Sequence, residues 1–415
     1  MEIQVAKFRD ALKLLKPVVP RKSALKSIND RVMLQNGQVV ATDLETIVAV
    51  GLPTDISCII PYSDLVKVLE YIPGSYTLRI EQNDSVFMMT WLDGGMNLPT
   101  ESVEDFPPFP EFVASAEALL DIDTLIPAML EVLTYASTET SRPTLSGVTL
   151  IVGEHIEVAA GDGFRMAHRI LPLSFPGDAV LIVPSSSVRV LKLLLDKTPR
   201  APKPSDSFIA TIMSKRQATV AIDEKHVGLK FTFPGPTTAI VKLIQGNPPA
   251  WVKLIPKDEP KLVVSVMGSE LELAMRRVRN VAKDHSGIVR MVFNGNTATI
   301  SAGDDSKQVQ STIGVLANKG DSGRIGLNDT YLLDYLKGKE GIMVISLQQQ
   351  EMAPVAFKYG KGPTVLIMPM HVDWEKPAAP AAAAAPEAET APTVQATAEA
   401  APAAPAEGTT EAAAK

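Results

Sequence analysis

The side chains in this sequence that could do chemistry are three repeated aspartates, a serine segment and five histidines. Asp43, Asp162 and Asp304 each follow an apolar, alternating stretch in the phrase Ala-x-Asp. Three carboxylates that meet at one point could hold a metal ion, whereas an aspartate directly after a strand commonly caps a tight turn. The shared position after a strand favours turn capping. We therefore predict neither a metal site nor a cofactor.

The other catalytic signals do not form a site. Residues 320–324 read GDSGR, like the nucleophile segment of trypsin-like proteases, but no suitable histidine segment precedes them and their position predicts a turn. Lys361, in YGKGPT, lacks the spacing of a phosphate-binding loop. The histidines have no metal-ligand spacing; they are His155, His168, His226, His285 and His371. We predict that the protein is not an enzyme.

The aspartates belong to a longer phrase that occurs three times. An alternating stretch runs into Ala-x-Asp, and a short strand and a helix follow. The copies begin RVMLQNGQVVATDLE at Arg31, GVTLIVGEHIEVAAGDG at Gly147 and VRMVFNGNTATISAGDD at Val289. Their spacing has the size of a domain and is too long for a solenoid repeat. Period-2 segments with Asn-Gly turns predict hairpins. We therefore predict an α+β fold of three similar domains, each an antiparallel sheet with two helices.

Most of the predicted helices combine an apolar stripe with a cationic face. The stripe of the first helix runs from Phe8 to Leu15, and that of the third copy from Leu271 to Ala282. The helix at about residues 124–135 has no basic residue, and its Pro127 is predicted in the first turn. Cations on five of six equivalent helices indicate a shared anionic partner; solvated faces are the alternative. These cations are Arg9, Lys13, Lys16, Lys67, Arg189, Lys192, Arg276, Arg279, Lys283 and Lys337.

Composition and proline-rich joints predict several domains. The chain has 415 residues, more than a single core usually holds, and a net charge of −7, so its cations must be segregated on one face. The single cysteine, Cys58, excludes an internal disulfide and is expected in the core. We predict domains at residues 1–114, 115–257 and 258–375, then a disordered Ala/Pro/Glu-rich tail at 376–415. No signal peptide or membrane span is recognised, which predicts a cytoplasmic location.

An ordered set of segments resembles a known family. The set comprises VVPRKSALKSINDRVMLQ with VVATDLE, then RPTLSGVTL with AAGDGFRMAHRILPL, then GNPPAWVKLIP and finally VLIMPM. Together they resemble the bacterial DNA polymerase III beta subunit, the beta sliding clamp, over about residues 1–372. The resemblance implies the DNA clamp fold, in which two three-domain subunits form a head-to-tail homodimer ring with helices lining the hole. It implies that the ring encircles double-stranded DNA, independently of sequence, and tethers a polymerase to confer processivity in DNA replication.

The resemblance also implies a groove between the second and third domains that binds short linear peptides. The implied partners are the DNA polymerase III catalytic subunit, the clamp loader, other polymerases and repair proteins, with no membrane involved. Carried onto this sequence, the groove uses Leu145, Gly161, Gly163, Phe164, Arg165, Met166, Pro249, Lys253, Leu254, Leu366, Ile367, Met368, Pro369 and Met370. The DNA channel uses Arg9, Lys13, Lys22, Arg142, Lys192, Arg276, Arg279 and Lys283, and the dimer edge includes Val281. Interdomain core is the alternative for the last strand.

The sequence departs from the family pattern at three places. Phe164 stands where the family often has His, residues 251–253 replace an aromatic–Arg pair, and residues 280–281 read Asn-Val at a usually apolar edge. Peptide preference and edge contacts are therefore expected to differ. Two other functions stay open: a ring-shaped scaffold that binds peptides without DNA, and an enzyme of unrecognised type. Retention on nicked circular DNA, lost after linearisation, would distinguish a clamp from a scaffold.

Overall fold

The computed structural model describes residues 1–23, 25–83, 85–108, 111–139, 141–200, 215–304, 306–320, 322–350 and 352–374. Contacts divide the chain into Met1–Val372 and Asp373–Lys415. In the second unit only Asp373 and Trp374 are described, and neither is in regular secondary structure. The predicted tail at 376–415 lies outside the described residues.

Within Met1–Val372 one order of elements occurs three times. The first repeat contains β1 (Glu2–Gln4), α1 (Val5–Leu15), β2 (Arg31–Gln35), β3 (Gln38–Thr42), β4 (Thr46–Gly51), β5 (Cys58–Pro61), α2 (Tyr62–Glu70), β6 (Thr77–Asn83), β7 (Val86–Trp91) and β8 (Gly94–Pro99). The second contains β9 (Ala114–Asp121), α3 (Ile122–Leu133), β10 (Gly147–Val152), β11 (Ile156–Gly161), β12 (Arg165–Leu171), β13 (Ala179–Pro184), α4 (Ser185–Lys197), β14 (Gln217–Asp223), β15 (Gly228–Thr232) and β16 (Thr237–Lys242).

A short helix, α5 (Trp251–Leu254), precedes the third repeat. That repeat contains β17 (Leu262–Met267), α6 (Gly268–Asp284), β18 (Ile288–Asn294), β19 (Thr297–Gly303), β20 (Gln308–Gly314), an additional β21 (Ala317–Lys319), β22 (Ser322–Asn328), α7 (Asp329–Leu336), β23 (Ile342–Leu347), β24 (Val355–Tyr359) and β25 (Thr364–Ile367). The predicted fold class, three similar units of antiparallel sheet with two helices each, is confirmed. The predicted domain limits stay a prediction.

Strand pairing joins neighbouring repeats. β4 pairs with β16 in an eight-stranded sheet, where Val48 faces Ala239. β12 pairs with β25 in a nine-stranded sheet, where Met166 faces Leu366. Two four-stranded sheets stay within single repeats, in the orders β1-β6-β7-β8 and β20-β19-β18-β22. Among the described strands, β8 and β20 therefore end their sheets.

The helices bury the stripes that the sequence predicts, and α3 and α7 start at side-chain caps. Asp121 accepts a hydrogen bond from the backbone N–H of Thr124, so α3 begins at Ile122. Pro127 consequently lies beyond the first turn, and its predicted position there is wrong. Cys58 is buried as predicted, and burial raises the pKa of its thiol to about 12. None of the helices in the described ranges is both long and apolar enough to cross a membrane.

Candidate functional site

The three repeated aspartates cap three equivalent turns. In each case one carboxylate oxygen accepts hydrogen bonds from the backbone N–H groups two and three residues later, at 2.7 to 3.2 Å. The predicted turn capping is therefore confirmed for Asp43, Asp162 and Asp304. Within the described ranges, no group of three or more His, Cys, Asp or Glu side chains is arranged to hold a metal ion.

The predicted groove segments converge where the second and third repeats meet. β12 and β25 lie antiparallel, and beyond their paired ends the Met368 N–H donates to the Phe164 carbonyl at 2.8 Å. The Met370 N–H donates to the Gly326 carbonyl at 2.8 Å. A Cβ on Gly326 would lie 2.2 Å from Val372 Cγ2 and 3.0 Å from the Met370 carbonyl. The missing side chain at Gly326 is therefore what allows the C-terminal segment to pass along the end of β22.

The floor of this groove is a small apolar cluster, separate from the main core. Its buried members are Leu145, Ala159, Met166, Trp251 and Leu366. The Trp251 Nε1–H donates to Thr149 Oγ1 at 2.9 Å, so the indole has a polar partner as well as an apolar face. A Cβ on Gly161 would lie 3.0 Å from the Trp251 ring. Sequence reasoning did not assign Trp251 to the groove; its signal was a large aromatic residue in a proline-rich joint.

Exposed apolar side chains surround the floor. Phe164 is 55% exposed, Leu254 48%, Met368 40% and Met370 36%. Gly163 and Lys253 are also exposed, Pro249 is half-buried, and Gly161 and Pro369 are buried. An apolar floor with an exposed thioether and aromatic rim suits peptides of varied sequence, because methionine side chains repack easily.

Two predicted groove residues face elsewhere. Ile367 is fully buried in the main core with Val365, whereas Leu366 between them lies in the groove floor. This correction follows from the strand period, since successive side chains point to opposite faces. Arg165 is only 13% exposed and is used inside the fold, where it pairs with Asp162 at 3.0 Å and Asp334 at 3.1 Å.

Arg165 also lies against two aromatic rings that sequence reasoning missed. Its guanidinium carbon is 4.7 Å from the Tyr331 ring centroid and 5.6 Å from that of Tyr135. Phe164 stacks on Tyr331 with centroids 6.3 Å apart. Burial raises the pKa of Tyr135 to about 12, so this ring stays neutral beside the charges. Arg165 therefore connects the β11–β12 turn to α7 and holds the surface on which Phe164 rests.

The predicted DNA-facing cations fall into distinct groups. Those that are exposed are Lys13, Lys22, Arg142, Arg276 and Lys283. Lys192 is half-buried. Arg9 is also half-buried, and its Nη2 donates to the Leu69 and Ile72 carbonyls, each at 2.5 Å. Arg9 was predicted to face DNA, whereas its guanidinium binds carbonyls at the end of α2 and so connects α1 to α2.

Several of these cations carry an acid on the same helix. Lys13 pairs with Asp10 at 3.1 Å, Lys192 with Asp196 at 2.5 Å, and Arg276 with Glu272 at 2.6 Å. Such exposed pairs contribute only about 0–1 kcal/mol each to stability. Their larger effect is to reduce the positive field on the helix faces.

Arg279 and Arg142 also have neighbours that the sequence did not predict. Arg279 lies 3.7 Å from the buried carboxylate of Asp329, so its charge is partly compensated inside the third repeat. Arg142 Nη1 lies 3.2 Å from the position that a Cβ on Gly163 would occupy. Arg142 is therefore beside the groove loop.

A lysine cluster at the junction of the first two repeats was missed by sequence reasoning. Lys197, at the end of α4, donates through Nζ to the Lys13 carbonyl at the end of α1. Burial, together with the charges of Lys16 and Lys13, lowers the pKa of Lys197. The ends of two helices from different repeats thus bring three ammonium groups together. The only sequence signal was a lysine five residues after Lys192.

The predicted edge residue Val281 is half-buried near the start of β20. A Cβ on Gly303 would lie 2.9 Å from Val281 Cγ1. On the same side of α6, the Arg277 Nη1–H donates to Ser311 Oγ on β20 at 3.1 Å, and Leu273 is 51% exposed. Leu273 was missed because it stands outside the apolar stripe of its helix.

The chain is similar to proteins of one family. Residues 252–370 match the family described as DNA polymerase III beta subunit, C-terminal domain. The chain is 23% identical to the beta sliding clamp of Pseudomonas aeruginosa over 378 residues, which cover 87% of this chain and 96% of that protein. It is 24% identical to the clamp of Streptococcus pneumoniae serotype 4, where the match covers 62% of this chain and 64% of the relative's length.

Solved structures agree in fold. The DNA polymerase III subunit beta from Pseudomonas aeruginosa aligns with a TM-score of 0.74 at 19% identity, covering 89% of this chain and 99% of that chain. The beta subunit from Streptococcus pyogenes aligns with a TM-score of 0.75 at 18% identity over the same shares. The predicted resemblance to the bacterial DNA polymerase III beta subunit, the beta sliding clamp, is confirmed.

Proposed function

We propose that this chain is a DNA sliding clamp, a processivity factor that encircles duplex DNA and tethers a replicative polymerase, with no catalytic activity of its own. One observation carries the proposal. Neighbouring repeats are joined twice by strand pairing, β4 with β16 and β12 with β25. The corresponding strands β8 and β20 have no such partner among the described strands. Two matching sheet edges at the first and third repeats support a ring made from two copies of the chain. The predicted cytoplasmic location stays a prediction.

The ring would close by applying the same rule a third time. The third strand after the first helix of one repeat pairs with the last strand of the next repeat, as β4 does with β16 and β12 with β25. Continued once more, the rule pairs β20 with β8 of a second copy. Two subunits joined head to tail in this way use each edge once and leave neither exposed.

The repeats also specify a register for this seam. The residue three after the repeated aspartate faces a core residue of the last strand: Thr46 faces Val241, and Arg165 faces Ile367. On β8 the corresponding core residue is Leu98. This alignment makes position 98 face position 307 of the partner subunit.

In that register Asn97 faces Gln308 of the partner subunit, and both side chains are exposed in one subunit. The helix positions agree, because the first helix of each repeat adjoins the second helix of the next: Lys197 of α4 donates to the end of α1. By the same rule Leu273 and Val281 on α6 would pack near the partner's α2, where Tyr71 is 86% exposed.

We propose that the cationic helix faces line the hole. Lysine and arginine attract phosphates without reading bases, which suits a ring that slides. The acids paired with Lys13, Lys192 and Arg276 weaken this attraction, so the ring is held by topology rather than by affinity. Replacing Lys16 and Lys283 with Gln should weaken DNA association equally on all sequences and flatten its salt dependence.

We propose that the groove between the second and third repeats binds partner peptides. Peptides rich in Gln, Leu and Phe are expected to bind with a Kd of about micromolar or weaker, because the apolar contact is small. Met370→Ala should weaken this binding and leave the unfolding transition unchanged, since Met370 is 36% exposed. If Met370→Ala instead lowers the melting temperature and leaves peptide affinity unchanged, Met370 belongs to the interdomain core and not to a groove.

The decisive experiment traps the ring on DNA. The variant carrying Asn97→Cys and Gln308→Cys is mixed with nicked plasmid and oxidised. We expect a disulfide-closed dimer that stays on the circle at high salt and is released when the plasmid is linearised. Cys58 should not interfere, since it is buried and its thiol pKa is raised to about 12.

The matched control pairs Gly95→Cys with Gln308→Cys, which is two residues out of register and beyond the reach of a disulfide. Each single variant is a second control. A protein that stays monomeric at micromolar concentration would exclude the ring. A closed dimer that binds peptides but is not retained on circular DNA would indicate the scaffold instead.

A further inference from the structure

The first and second repeats meet at a second apolar groove. It has a volume of about 460 Å³ and lies where β4 pairs with β16. The groove is lined by side chains of these two strands and of the loops beside them, including Leu44, Ile47, Pro107, Phe112, Val227 and Ile240. This size falls in the range of pockets that bind small ligands or single peptide side chains, ~300–1,000 Å³.

This groove is the internal counterpart of the one between the second and third repeats. The capped turn of Asp43 stands where that of Asp162 stands in the other groove. Glu45 takes the place of Phe164, and Pro107, Pro108, Glu111 and Phe112 line this groove as the joint at 249–254 lines the other. The capped turn is therefore the same at both sites, whereas the joints differ: residues 251–254 form α5, and the described residues at 107–108 and 111–112 are not in regular secondary structure.

Leu44 is held in a costly conformation at the mouth of this groove. Its φ is +77°, in the left-handed region, and the side chain is 42% exposed. The counterpart in the other groove is Gly163, with φ +98°, where the absence of a side chain removes the strain. Strained residues are concentrated at ligand contacts. Neither burial nor backbone geometry explains a leucine at this position.

The two grooves differ in charge. Glu45 and Glu111 are exposed on the wall of the groove between the first and second repeats. Asp43 lies beside Glu45, and burial is the main cause that raises the pKa of Asp43. Lys242 also lines the wall, so the balance is acidic but not uniform. Asp223 is buried and accepts hydrogen bonds from the Val113 and Lys225 N–H groups, so it is internally satisfied. The other groove instead has exposed Arg142 and Lys253 beside it.

We propose that the groove between the first and second repeats is a second docking site for partner peptides. Its occupant is a short linear segment that places a leucine or aromatic side chain against Leu44 and Phe112, next to a lysine or arginine that faces Glu45 and Glu111. The inference goes beyond the proposed function and rests on it only in taking the occupant to be a partner protein. The opposite charge of the two grooves would let one subunit bind two peptide classes at once.

The test uses the full chain and two fluorescent decapeptides, followed by anisotropy. One contains Lys-Leu-Phe-Lys in a Gly/Ser background, and the other is rich in Gln, Leu and Phe. Leu44→Gly should weaken the basic peptide about tenfold and leave the Gln-rich peptide unchanged, because an apolar contact is lost at one groove only. Leu44→Gly also removes the backbone strain, so a folding defect is not expected. Glu45→Lys should weaken the basic peptide and reduce the salt dependence of its binding.

Phe164→Ala is the matched control at the other groove and should weaken only the Gln-rich peptide. The proposal is overturned if the basic peptide does not bind, if its affinity is unaffected by Leu44→Gly, or if the Gln-rich peptide displaces it. A mass that rises with concentration and falls with Leu44→Gly would show that a second copy occupies the groove, which also overturns it. If only the Gln-rich peptide fails to bind, the proposed peptide groove between the second and third repeats is wrong, and the site between the first and second repeats stands.

Discussion

Replacing Arg165 with alanine tests how the second and third repeats are held together. The pair with Asp162 has side chains 13% and 17% exposed, so its hydrogen bond should contribute about 1.5–3 kcal/mol. The pair with Asp334 adds about 0–1 kcal/mol, because that carboxylate is 57% exposed. The stack over Tyr331 adds about 0.5–1 kcal/mol. Asp162 keeps two backbone donors after the change, so we expect a total loss near the lower end of the summed range, about 2 kcal/mol.

Tryptophan fluorescence during urea unfolding can measure this loss at the joint itself. The sequence has three tryptophans, so replacing Trp91 and Trp374 with Phe leaves Trp251, in the groove floor, as the only reporter. The matched control is Arg169→Ala on the same strand. Its pair with Glu131 has side chains 26% and 46% exposed and should contribute less than about 1 kcal/mol. If Arg165→Ala destabilises the joint no more than Arg169→Ala does, Arg165 is not the connection inferred here.

Three further predictions concern a glycine, an acid and the thiol. Gly326→Ala should destabilise the C-terminal segment by about 1–3 kcal/mol, seen as faster exchange of the Met370 amide, whereas Gly314→Ala, with nothing within 4 Å of its Cβ, should have no effect. Burial alone would raise the pKa of Asp123, but the hydrogen bonds and the charge of Arg216 outweigh burial, so this pKa lies below its usual value. Its stabilisation is therefore present above about pH 4 and lost as the pH falls further; acid titration of Asp123→Asn should lack that loss. The Cys58 thiol should resist a thiol reagent at pH 8 until the protein unfolds, and rapid labelling of folded protein would contradict its burial.

The repetition and the apolar faces could be predicted from the sequence, because both follow from local periods. Alternation places every second strand residue in a core, and the spacing of the aspartates marks equivalent turns. The same local rule could have identified Ile367 as a core residue. Adjacent positions of a strand cannot both face the groove, so Leu366 and Ile367 must point to opposite sides.

The destinations of the arginines could not be predicted, because their partners are distant in sequence. Arg9 donates to the end of α2, and Arg165 reaches Asp334 in another repeat. A helical wheel shows such residues only as a cationic face. Tyr331 was missed for the same reason, since a tyrosine near a helix start gives no local sign that an arginine from another repeat lies over it.

The two joints within the chain and the proposed third joint differ, among other positions, at the residue three after the repeated aspartate. Three residues after the repeated aspartate stand Thr46, which is buried and donates to Ser187 Oγ at 2.7 Å, and Arg165, which is buried between two repeats. The third joint has Lys307, 56% exposed and paired with an equally exposed Asp284. An exposed pair of this kind stabilises little. The proposed seam would therefore place a charged side chain, paired within its own repeat, where the two joints within the chain have Thr46 and Arg165.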